Sequence, residues 1–135
     1  MALQLSIAVQ NGMLDSLESV VGLSPKLAIF SGSAPTTCAS ANPTGELARM
    51  TLPTDWLATA ASGVKLILGS WVCVATGAGL PGAATSFRVY ATDGTTCHMQ
   101  GTCGLGTGDL SLSKTQLAYG MDVQIIGFTL IAGNT

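Results

Sequence analysis

Glycine divides the second half of this chain into short runs, and that punctuation limits the fold more than any other feature. From Gly63 onward, turns fall at Gly69, Gly77, Gly79, Gly82, Gly94, Gly104, Gly106 and Gly108. The runs between them are rich in Val, Ile, Thr and Phe and too short for long helices. Such residues suit a pleated surface, and the glycines suit the tight turns that join its strands. The run 86–91 (SFRVYA) sets Phe87, Val89 and Ala91 against Arg88 and Tyr90. Asp93-Gly94 follows as a hairpin signal, with 95–102 as the returning strand. The stretches 64–68 and 70–76 read as a strand pair interrupted at Gly69, a turn or a bulge. A short strand covers Leu110 and Leu112. The last and longest strand, 122–132 (DVQIIGFTLIA), carries apolar residues on both parities and is expected to be central or covered on both faces.

The first half adds two further strands, 27–31 (LAIFS) and 46–52 (ELARMTL), on either side of a long uncharged loop at 32–45. A short helical turn is expected from Pro53 to Ala61, capped by Thr54 or Asp55. One clear helical pattern lies at 4–21. Leu5, Val9, Met13, Leu17 and Val21 recur every fourth residue, widened by Leu14 and Val20, and Gly22 and Pro25 mark its end. This helix either covers an end of the domain's own core or forms an arm that packs on a neighbouring subunit. The count of about eight short strands with few helices points to an all-β chain. The expected fold is a β-sandwich, jelly-roll-like, over 23–135 with an N-terminal α-helical arm at 1–22. No period of 20 to 50 residues repeats, which argues against a solenoid or propeller.

Charge is scarce. Seven acidic and five basic residues make 9% of the 135, where about a quarter is usual for a soluble domain. A solitary protein needs surface charge to stay dispersed, so this composition points to a surface largely covered by other proteins. The net charge is −2, and Lys26, Arg49, Lys65, Arg88 and Lys114 stand singly, so nucleic acid is not an expected partner. The uncharged stretch 66–87 is broken by Gly69, Gly77, Gly79, Pro81 and Gly82, which argues against a membrane span. The N-terminus lacks the basic start of an export signal, so synthesis in a cytosol is expected.

Chemistry-bearing groups are few, and no enzyme activity is expected. Cys97 and His98 are strand neighbours that point to opposite faces, so they do not form a nucleophile pair. Cys97, His98 and Cys103 lack a second close pair to complete a metal site. The four cysteines, at 38, 73, 97 and 103, allow three pairings, and free thiols are expected in a reducing cytosol. GLGTG at 104–108 has no lysine or helix after it, and GAGLPG at 77–82 is followed by a strand, so neither is a phosphate loop. No cofactor or metal is expected. Trp56, Trp71, Tyr90 and Tyr119 are the candidates if the chain binds sugar.

Four blocks carry a resemblance: GSAP at 32–35, LARMTLPTDWLATAASG at 47–63, FRVYATDGTTCHMQGT at 87–102 and VQIIGFTLIAGN at 123–134. With them the chain resembles small virion proteins of tailed bacteriophages and prophages. The resemblance implies a structural component of a phage particle, made in the host cytoplasm and assembled into the virion. A head decoration or cement protein is the favoured form, a trimer that clamps neighbouring major capsid protein subunits. A tail, collar or fibre-attachment component, or a glycan-binding module, is the alternative. The expected contact residues are Leu5, Val9, Met13 and Leu17 on the helix, and Pro35 and Pro43 in the uncharged loop.

Overall fold

The computed structural model describes residues 3–132. It is mostly β, with one helix. Ten strands follow helix α1 (Ile7–Val21): β1 (Lys26–Phe30), β2 (Glu46–Thr51), β3 (Val64–Leu66), β4 (Val72–Val74), β5 (Gly82–Ala83), β6 (Ser86–Tyr90), β7 (Cys97–Gly104), β8 (Leu110–Leu112), β9 (Gln116–Leu117) and β10 (Asp122–Ile131). Eight of them form one curled mixed sheet, ordered β2-β1-β6-β7-β8-β10-β3, with β4 also paired to β10. The sheet has the shape of a half-barrel. β5 and β9 form a separate two-stranded ribbon, too short to leave a pattern in the sequence.

The curl brings the sheet's ends close together. Beyond β4 the chain runs along β2, where Gly77 N–H donates to Leu47 O and Gly79 N–H to Glu46 O. A Cβ on Gly79 would lie 2.6 Å from the Cα of Gly45, so only glycine fits this seam. The letters of GAGLPG therefore record close backbone packing. Inside the curl, Trp56, Trp71, Phe128 and Phe87 form, in that order, a chain of aromatic contacts with centroids 6.0, 5.9 and 5.6 Å apart.

Helix α1 begins at Ser6, whose Oγ accepts from Val9 N–H, and stops at Gly22, whose N–H donates to Glu18 O at a φ of 96°. It docks on the turn before β3. Asn11 Oδ1 accepts from Gly63 N–H, and Asp15 Oδ1 accepts from Ala60 N–H. The side chains it buries are Gln10, Leu14 and Val21.

Two local expectations are corrected, and a third holds in one of its two forms. Residues 53–61 form no helical turn. After a bend at 54–55, residues 56–61 run beside 64–68, with bridges Leu57–Ile67 and Ala61–Val64, and Trp56 and Leu57 are both drawn into the core. β3 and β4 do not pair with each other. Gly69, at φ 78°, separates them, and they pair with the last and the first residues of β10. β10 is central, as expected, paired with β8, β3 and β4, and it is not covered on both faces. Its pairing with β8 slips between Ile125 and Gly127, so Ile126 is an extra residue. The side-chain parity inverts there. Val123, Ile125 and Phe128 all face the core, and Ile126 is left 55% exposed.

Candidate assembly surface

The sheet's outer face differs between its two ends. At the β1–β6–β7 end, Ala28, Phe30 and Tyr90 form a second buried cluster, joined by Cys97. The cover is the uncharged loop 31–45. Its base is pinned by Ser31 N–H to Gly45 O and Gly32 N–H to Thr44 O. Its body is held by Arg88, which is only 2% exposed. The guanidinium donates to Gln100 Oε1, Asn42 Oδ1, Thr37 O and Ser40 O at 3.1–3.2 Å. Tyr90 Oη donates to Asn42 Oδ1, and Gln100 Nε2 to Pro35 O. Burial pushes the Tyr90 phenol up, against the opposing pull of Arg49 and Arg88. Beside this cover, Arg49 sits 4.8 Å from the centre of the Tyr90 ring and pairs with Glu46. Cys38, in the loop, and Cys97, at the start of β7, place their sulfurs 2.7 Å apart.

A second group of charges joins the helix to β3. Lys65 lies on β3 with its side chain fully buried, and its Nζ is 2.6 Å from Asp15 Oδ1 and 2.8 Å from Glu18 Oε1. Burial works to lower the Lys65 pKa, but the bonds from Asp15 and Glu18 outweigh it and raise the value. The Lys65 hydrogen bond, aided by the Ala60 N–H, lowers that of Asp15. Among the described residues, every buried side-chain nitrogen or oxygen has a partner. Two of the five cations are thus internal, and the surface is poorer in charge than the composition suggests.

Among the described residues, none forms such a cover at the β4–β10–β3 end. Cross-strand partners share a face, so the outward side chains are read from the register. They are Val72 and Val74 on β4, Leu66 on β3, and Thr129 and Ile131 on β10, with Gln124 and Asp122 opposite Val72 and Val74. Val72, Val74, Leu66 and Ile131 are exposed, as is Ile126 at the bulge. A depression of ≈ 330 Å³ follows the β4–β10 pairing, and Asp122 is the one charged residue lining it. The exposed Val72, Val74, Leu66, Ile126 and Ile131 make this outer face largely apolar, with Asp122, Gln124 and Thr129 between them.

The expected contact residues divide. Val9 and Met13 are 48% and 52% exposed and, with Val20, form an outward stripe beside the buried face of α1. Leu5 and Leu17 are half-buried, as are Pro35 and Pro43. The loop holding the two prolines is occupied in covering its own sheet. The strip on β3, β4 and β10 was missed by sequence reasoning. Its signal is the pair of valines at 72 and 74, whose outward facing follows from pairing with β10 and not with 64–68.

The chemistry-bearing residues are spread over both faces. Cys103 is in the core, its thiol pushed up to about 12 by burial, and burial also raises Cys73. Among the described residues no three His, Cys, Asp or Glu side chains gather closely enough to hold a metal ion. Trp56, Trp71 and Tyr90 are buried in the interior, and Tyr119 is exposed. GLGTG makes a tight loop in which Asp109 Oδ2 accepts from Thr102 N–H, with Gly106 and Gly108 at positive φ. No helix among the described residues is long and apolar enough to cross a membrane. Comparison with protein-family models, with curated proteins and with solved structures returned no match.

Proposed function

We propose that this chain is a structural subunit of a tailed-phage particle, a capsid cement or decoration protein that clamps neighbouring major capsid protein subunits. The observation that carries the reading is the distribution of charge. Lys65 and Arg88 are internal, and one sheet end presents an apolar outer face. A clamp needs apolar contact area and few unpaired buried charges, and both are available there. The resemblance to phage virion proteins agrees with it. Assembly as a trimer belongs to the same proposal, since closed symmetry would bury a repeated set of such faces. So does the sandwich description of the fold. Phe87 on β6 packs edge-on against Phe128 on β10, as residues of two facing layers would.

The test is copy number in purified virions, from gel band intensity against the major capsid protein. A cement protein is present in hundreds of copies. Tens of copies would move the chain to the tail, collar or fibre attachment, and absence from the particle would end the proposal. A sugar-binding role draws little support, because three of its four candidate aromatics are interior.

A further inference from the structure

The geometry points to Cys38 and Cys97 as a redox-sensitive pair whose disulfide locks loop 31–45 over the outer face of β1, β6 and β7. Three observations carry it. First, the two sulfurs stand 2.7 Å apart, close to the bonded separation of ~2.0 Å, so a bond needs little movement of the backbone. Second, the sheet sorts the four thiols. Cys38 and Cys97 lie on the loop-covered face, whereas Cys103 belongs to the main core and Cys73 packs against it. One pairing of the three is therefore presented, and the sheet stands between the others. Third, the loop already docks through Arg88, Tyr90 and Gln100, so the bond would close a conformation that exists without it.

The oxidant is a low-molecular-weight disulfide such as glutathione disulfide. The Cys97 thiol is pushed up to about 12 by burial and by its cysteine neighbour, which leaves Cys38 as the attacking sulfur. Cys38 thiolate attacks one sulfur of glutathione disulfide, forming a mixed disulfide and expelling one glutathione thiolate. Cys97 then loses its proton to that thiolate and attacks the Cys38 sulfur, expelling the second glutathione. The protein gives up two electrons and two protons, and the small disulfide becomes two thiols. The bond ties residues 59 positions apart, which constrains the unfolded chain strongly. This inference stands apart from the proposed virion role and holds in whatever particle or compartment the chain works.

The test is peptide mapping of the full-length protein after incubation with glutathione disulfide, alkylation and digestion with trypsin. Cleavage after Lys26, Arg49, Arg88 and Lys114 yields peptides 27–49 and 89–114, which hold Cys38 and the Cys97/Cys103 pair. The expected product is these two peptides joined, with one alkylated cysteine remaining at Cys103. The link persists in Cys103→Ala and disappears in Cys97→Ala. Tandem mass spectrometry of the wild-type peptide locates the bond even if a variant fails to fold. The melting temperature of the oxidised protein rises over the reduced form by on the order of 10 °C. Complete alkylation of Cys38 after treatment, a link that survives Cys97→Ala, or an unchanged melting temperature would each overturn the inference.

Discussion

The two ends of the curled sheet treat their outer faces in opposite ways. At β1–β6–β7 the chain supplies its own cover, a loop held by a buried arginine that satisfies two loop carbonyls and Asn42. At β4–β10–β3 the same sheet ends in Val72, Val74, Ile126 and Ile131, exposed to solvent. Both outer faces carry apolar side chains. The difference is whether a segment of the same chain reaches across. Scarcity of charge therefore has two sides here: some of the few charges hold the fold's own cover in place, and the other outer face is left apolar and without a cover among the described residues.

Breaking the register at the open end should have the largest effect. Inserting one alanine between Gly127 and Phe128 shifts the strand by one position and turns Phe128 and Leu130 outward. A loss of about 4 kcal/mol or more is expected by denaturant melting, the cost of taking a core phenylalanine out of the interior. Retained stability would mean that the facing of Phe128 does not depend on the register of β10. At the covered end, Arg88→Ala leaves loop carbonyls without their donor and should cost about 3 kcal/mol. Loop 31–45 should then become the first site cut in limited proteolysis. A variant cut no faster than the wild type would show that the loop is held by something other than Arg88.

The charges under the helix predict a pH dependence at both extremes. Asp15 titrates below its ordinary 3.8 in the folded state, so its contribution is complete above that value and is lost as pH falls through the lowered one. Asp93, held at about 2 by Thr96 and Thr95 in the β6–β7 turn, behaves in the same way. Lys65 titrates above its ordinary 10.5, so its contribution is complete below that value and is lost as pH rises through the raised one. Melting temperatures across pH should show a plateau with shoulders on both sides, and Asp15→Asn should shrink the acid one. An unchanged acid shoulder in that variant would remove Asp15 from the account. The smallest effect on stability is expected at the open face, where Val72→Lys and Ile126→Lys should each change it by within about 0.5 kcal/mol.

Much of the fold was legible in local pattern. The end of the helix at Gly22, β1, β2, β6 and the Asp93-Gly94 hairpin follow from periodicity, caps and turn residues, whereas the start of the helix falls later than the pattern at 4–21 suggests, and Leu5 precedes α1. What was not legible depended on contacts distant in sequence. Periodicity shows that 64–68 and 70–76 are extended, but not that β10 would take them both as partners. A strict alternation through 122–132 hides the bulge, because Ile126 is as apolar as the residues it displaces. The burial of Arg88 was invisible for a similar reason. A strand arginine opposite Phe87 and Val89 reads as solvated until the loop from 31 to 45 is placed over it. Of the candidate surface, Val9 and Met13 were found from the helical repeat, whereas Val72 and Ile126 required the register of β10.

The central claim is that the uncovered face of β4–β10–β3 is the contact made with the particle. The most direct measurement is co-sedimentation of the Val72→Lys, Ile126→Lys double variant with capsid shells that lack this protein. The account predicts a variant that folds with wild-type melting behaviour yet stays in the supernatant, while the wild-type protein sediments with the shells. A folded double variant that sediments with them as the wild type does would contradict it.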